Sequence, residues 1–226
     1  MKPGTWAILT LLLFALGGCA HSTPTADPIS AAEHLGRAEA LIRGRDFPAA
    51  AEELTLALRQ NPRAAEVRLR RGELLEALGD DRGARDNYED GLKFLEAESP
   101  LYPEMAYRLA YLFLDKLDKP KRASALVSSL GETTAERADL QAVMALGDGA
   151  PREALALLTP ALLDAPSRPM IPRILFHAAQ AYDLLGEEDL TRSTLFQAIN
   201  HSENLALTRE IEVFWNRLNS KAERRR

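Results

Sequence analysis

Apolar positions divide the chain into an opening run and a long periodic remainder. From Thr5 to Leu16 the side chains are almost continuously apolar, with Lys2 before them and Gly17, Gly18 and Cys19 after them. A helix needs roughly 20 apolar residues to cross a bilayer, so this run is too short to span one and has the form of a signal-peptide core. His21 to Pro28 is polar, Pro-containing and without helical or strand period, which predicts a flexible tether and a folded part starting near Ile29 or Ser30. Beyond it apolar residues recur at helical spacing to the end of the chain, and no second run of spanning length follows.

The periodic part also repeats small residues at fixed offsets. In one stretch Gly72, Leu75, Gly79, Ala84 and Tyr88 follow position 1 at Ala65, with Gly91 near its end. Starting instead at Ala31 brings Ala38, Leu41, Ala50, Leu54, Ala57 and Pro62 into the same offsets, with Gly44 one place early. A start at Ala135 does so for Ala142, Gly149, Ala154, Leu158, Ala161 and Pro166, and one near Pro172 for Ala179, Tyr182, Gly186, Leu195 and Ala198, with Thr191 in place of Ala. Residues 103–134 form a divergent copy, where Ala110 fits, Leu117 stands in place of Gly, and Ala123 is one place late.

This spacing resembles the tetratricopeptide repeat, a helix pair recurring about every 34 residues. The resemblance implies an all-α fold: an α-solenoid of about five helix pairs over 30–204. Small residues would sit where helices approach most closely, and Gly would supply the left-handed backbone ending a first helix. Leu207, Ile211, Phe214, Trp215 and Leu218 recur at helical spacing in the 205–226 segment, ahead of Arg224-Arg225-Arg226. An array exposes the apolar side of its last pair, so this segment is expected to be a capping helix. An amphipathic membrane-surface helix is the rival.

Leu16-Gly17-Gly18-Cys19 resembles the lipobox of bacterial lipoproteins. The resemblance implies cleavage of residues 1–18 and a covalent lipid on Cys19, with 19–29 as lipidated Cys and tether. Ala20 stands where lipoproteins kept in the inner membrane often carry Asp. That implies sorting to the periplasmic face of the outer membrane, in a host with two membranes. An ordinary Cys close to a cleaved signal is the plainer alternative.

Composition narrows the function classes. Lys plus Arg is 28 against 33 for Asp plus Glu, a net charge of −5 that does not suit phosphate-backbone binding. One Cys allows neither an internal disulfide nor a Cys-based metal cluster. No phosphate-binding Gly loop, His-Glu-x-x-His or Gly-x-Ser-x-Gly motif is present, and His21, His34, His177 and His201 have no His at metal-ligand spacing. We expect no catalytic residue, no metal and no cofactor beyond the Cys19 lipid.

In tetratricopeptide arrays the first helix of each pair lines a concave groove. Carried onto this sequence, that implies a partner-binding set of Leu69, Arg70, Glu73, Tyr107, Arg108, Tyr111, Leu114, Val143, Phe176 and Gln180, with Leu35, Glu39, Glu76, Asp139, Leu146, His177 and Asp183 alongside. Tyr107 and Tyr111 are either the aromatic anchors of this groove or packing residues of the divergent copy. The Lys and Asn pattern by which some arrays clamp chaperone C-termini is absent. The expected function is a lipid-anchored, non-enzymatic adaptor binding an envelope protein or peptide, as in assembly of a pilus, secretin or outer-membrane machine. An accessory subunit of an envelope enzyme or polysaccharide-export system is the alternative.

Overall fold

The computed structural model describes residues 28–132, 134–164 and 170–223. Cys19, the tether before Pro28, Pro166 and the Arg224–Arg226 tail lie outside the described residues. Those described form eleven helices and no strand: α1 (Pro28–Arg43), α2 (Phe47–Gln60), α3 (Ala65–Leu78), α4 (Asp81–Leu92), α5 (Leu101–Asp115), α6 (Pro120–Ser129), α7 (Ala135–Gly147), α8 (Pro151–Asp164), α9 (Met170–Leu185), α10 (Glu188–His201) and α11 (Leu205–Glu223). Each of α1 to α10 packs against its partner as an antiparallel pair; α3 packs on α5, α5 on α7 and α7 on α9, while the first pair meets the second through α2 and α3.

The turns follow from local chemistry. Gly79, Gly149 and Gly186 end first helices with φ of 82°, 73° and 78°, a conformation that Gly adopts without a Cβ clash. The first and third copies lack that Gly, and Arg45 (φ 61°) and Asp118 (φ 50°) take up the left-handed conformation instead. Asp80 accepts from the Gly83 amide at 2.9 Å and Thr134 from the Arg137 amide at 3.2 Å, so each caps the helix that follows.

Small residues sit at the closest approaches. Ala38, Ala50, Ala57, Ala84, Ala110, Ala123, Ala142, Ala154, Ala179 and Ala198 are fully buried. Gly72 lies under the ring of Tyr88, and a Cβ there would meet Cε1 at 2.2 Å. Gly91 stands in the same relation to the Met105 thioether, at 2.4 Å from Sδ. Thr191, in place of the fourth copy's Ala, is buried with its hydroxyl donated to the Glu187 carbonyl at 2.9 Å. The divergent copy supplies the most enclosed helix, since every side chain of α5 from Met105 to Phe113 is buried.

The closing helix does more than cap. α11 packs on α10 and also runs back to α3, with Leu207, Ile211, Phe214 and Leu218 buried along one stripe. Arg209 donates to the carbonyl of Ala77 at 3.1 Å, taking up an acceptor that the end of α3 leaves without a helical partner. The concave side of the middle pairs is therefore partly filled by the chain itself.

Candidate functional site: the concave face

A sequence of polar rungs joins each first helix to the next. Arg70 on α3 reaches back to Glu39 on α1 at 3.5 Å, and Arg108 on α5 reaches back to Glu73 on α3 at 2.5 Å. The Tyr107 hydroxyl donates to Asp139 on α7 at 2.6 Å. The other oxygen of Asp139 meets His177 Nδ1 on α9 at 2.7 Å. Equivalent places in successive repeats thus carry complementary groups, and each rung ties two neighbouring pairs across the inner surface.

Burial makes these rungs strong in one direction. Asp139 is fully buried, and Arg108 and His177 nearly so. A buried charge without its partner is expensive, whereas a satisfied one is roughly neutral beside an apolar substitute. The rungs consequently fix which helix faces which. Arg108 also contacts Glu76 at 3.4 Å and Glu104 at 3.3 Å. Burial pushes the Glu76 carboxyl up to about 7, against the pull of Arg108 and Arg173. Burial likewise holds the Tyr107 and Tyr111 hydroxyls well above the usual phenol range, reinforced by Asp139 and Glu210 respectively.

Nearer the C-terminus α11 supplies the partners. The Tyr111 hydroxyl donates to Glu210 at 3.0 Å, and Arg173 Nη1 donates to the same carboxylate oxygen at 3.3 Å. The Arg173 guanidinium lies over the Tyr111 ring, 4.5 Å from its centroid. Phe214 meets Phe176 edge to face, with 5.8 Å between centroids. Beside this contact a cleft of about 420 Å³ opens between α11 and the inner faces of α3, α5 and α9. Lys116, Asp115, Gln180, Arg209 and Arg217 are among the residues lining it.

This placement corrects the expectation of an open aromatic groove. Leu69, Tyr107, Arg108, Tyr111 and Phe176 are buried and engaged within the chain. The physical reason is twofold: the hydroxyl of Tyr107 serves the rung to α7, and α11 covers Tyr111 and Phe176. Arg70, Glu73, Leu114, Val143 and Gln180 are half-buried. Leu114 and Val143 pack against the central core, and Gln180 lines the cleft. Arg173 and Glu210 did not enter the expected set. Glu210 had a legible signal, since it falls on the stripe of Leu207, Ile211 and Phe214, where an acid faces the protein interior.

His177 and Asp139 form a bonded pair, but the hydroxyl completing the chain is the buried Tyr107, which donates to Asp139 instead of facing a substrate. Among the described residues no group of three or more His, Cys, Asp and Glu side chains is placed to hold a metal ion.

No protein-family model matches the chain, and no curated protein matches it. Solved structures do. A tetratricopeptide repeat protein from Parabacteroides merdae aligns with 84% of this chain and 74% of its own, at a TM-score of 0.59 and 18% identity. PilW, a widely conserved type IV pilus biogenesis factor, aligns over 83% of this chain and 92% of its own, at 0.58 and 16%. TTC0263, a tetratricopeptide protein of Thermus thermophilus, aligns over 81% and 97%, at 0.58 and 18%. These likenesses concern the fold, and the fold is an α-solenoid of tetratricopeptide-like helix pairs closed by a C-terminal helix.

Proposed function

We infer that the protein is a lipid-anchored, non-enzymatic scaffold of the bacterial envelope that holds a partner protein or peptide on its concave side. The observation that carries this reading is the solenoid itself: a rigid inner surface, braced rung by rung, with a cleft of about 420 Å³ opening beside α11. Extended concave surfaces are what stacked repeats offer to macromolecular partners. The lipobox-like Leu16-Gly17-Gly18-Cys19 supports acylation at Cys19 and residence on the periplasmic face of the outer membrane. Two or more acyl chains hold a protein stably at a bilayer. No helix among the described residues is long and apolar enough to cross one. PilW, a pilus biogenesis factor of the same fold, supports an assembly role of this kind.

The test has two arms. Cys19→Ala is expected to abolish acyl labelling and to move the protein out of the outer-membrane fraction. Retained labelling or retained membrane residence would remove the anchor from the reading. A photo-crosslinking residue at Gln180 or Arg209, both on the cleft, is expected to capture a discrete envelope partner in intact cells. The same residue at Leu163, exposed on α8, is expected to capture none. Equal capture from all three positions would refute a concave-side partner.

A further inference from the structure

The residue that satisfies Arg173 does not belong to the repeats. Arg173 is only 5% exposed, and its ion pair is made with Glu210 of α11. Tyr111, also buried, gives its hydroxyl to the same oxygen, and Lys116 approaches the other oxygen at 3.9 Å. One helical turn further on, Phe214 meets Phe176. The repeats thus present a complete receptor: two buried donors converging on one carboxylate, and beside them an aromatic face for a ring four residues later. α11 is also attached differently from every other helix. It belongs to none of the five pairs: residues 202–204 link it to α10, and it packs on α3 and on α10, where Arg192 donates to Asn219 at 3.2 Å. Its start is built locally, with the Asn204 side chain accepting from the Leu207 amide at 3.0 Å. Its departure would uncover Leu175, Leu195 and Ala198 along with Phe176, and would leave each of the five pairs with its own partner.

We propose that the Tyr111–Arg173–Phe176 surface is a receptor for an amphipathic helix of a partner protein carrying an acid and, four residues on, an aromatic side chain, and that α11 is its resident, displaceable occupant. The inference rests on the scaffold reading above and specifies its ligand. Charge complementarity selects the partner: a helix without the acid would leave Arg173 and Tyr111 buried and unpaired, which disfavours apolar competitors strongly. An occupant in cis also sets the threshold. Apparent affinity falls in proportion to the fraction of molecules whose receptor is open, so a partner helix must outcompete α11.

The experiment uses the full chain in detergent and, as probe, a fluorescent peptide of residues 205–223. Glu210→Ala with Phe214→Ala weakens the resident helix while leaving the receptor unaltered. That variant is expected to bind the peptide about tenfold more tightly than the wild type, and Glu→Gln in the peptide is expected to weaken binding by about tenfold or more, as for loss of a buried charged hydrogen bond. Should the double variant melt early, Glu210→Gln, which keeps Phe214, is read in the same titration with the same direction expected. Hydrogen exchange gives a second reading: added peptide should speed exchange of the α11 amides in the wild-type chain. Absence of binding to a variant that retains its helical circular dichroism overturns the proposal, as does binding indifferent to the peptide's acid. A wild-type dimer that the peptide splits into monomers also overturns it, because the natural occupant would then be a second copy. Peptide binding without capture of an envelope partner would instead strike the scaffold reading and leave the receptor standing.

Discussion

Replacing Gly72 by Ala adds one carbon at the tightest contact in the array. An ideal Cβ there falls 2.2 Å from Cε1, 2.6 Å from Cζ and 2.8 Å from Cδ1 of Tyr88. Carbon atoms rest about 3.5–4.0 Å apart, so the ring would have to retreat by more than 1 Å. Tyr88 has no exposed surface and is rigid, with α3 on one side and the core on the other. Overpacking of this kind costs about 1–3 kcal/mol or more. Against it stands the helix-forming advantage of Ala over Gly, about 1 kcal/mol. A displacement of more than 1 Å puts the clash in the upper part of that range, so it wins, and we expect Gly72→Ala to lose about 1–2 kcal/mol net, read as a fall in Tm of about 2–4 °C per kcal/mol for a chain of this size. Gly36 is the control, because it too is helical but nothing lies within 4 Å of its would-be Cβ. Gly36→Ala is expected to raise Tm, by about 0.5–1 kcal/mol of stability. A double-mutant cycle isolates the cause: in a Tyr88→Ala background the penalty at position 72 should vanish. A Gly72→Ala protein as stable as the wild type, or a penalty that survives loss of the ring, would refute the reasoning.

Other outcomes follow from the rungs and caps. Asp139→Ala leaves the Tyr107 hydroxyl and His177 Nδ1 buried without partners, at about 1–3 kcal/mol each, so urea unfolding should show a loss of about 2–6 kcal/mol. Glu76 holds its proton more tightly folded, with its carboxyl near 7, than unfolded, near 4.5. Its contribution to stability is therefore full below 4.5 and is lost as pH rises through 7, and Glu76→Gln should flatten that part of the stability–pH curve. Asp80→Ala removes a side-chain cap and should cost about 1 kcal/mol, whereas Glu187, at the matching place before α10, makes no such bond and its Ala variant should be nearly neutral in the same melt. Gly91→Ala clashes with the Met105 thioether, a flexible side chain, and meets Arg68 Cβ at an ordinary 3.5 Å, so its Tm should fall less than that of Gly72→Ala.

The solenoid was legible in the sequence because its determinants are short-range and steric. Gly79, Gly149 and Gly186 mark turns that need a left-handed residue, and the buried Ala positions mark contacts that admit no larger side chain. Such constraints recur with the repeat, so each copy strengthens the reading of the others. Even the divergent copy kept its place, since Ala110 and Ala123 still meet the steric demand while Asp118 bears the strained turn. The inner surface was another matter. Tyr107 and Tyr111 sit at places whose offset fits a groove anchor and a buried rung equally well, and only their distances to Asp139 and Glu210 separate the two. Those partners lie 32 and 99 residues away. Periodicity predicted that α11 would close the array, because an exposed apolar edge must be covered. Whether the covering helix stops at α10 or folds back across the inner face to α3 depends on the curvature accumulated over five pairs, and on a carboxylate at 210 meeting an arginine at 173. No local rule carries that sum, so the tertiary structure alone decided it.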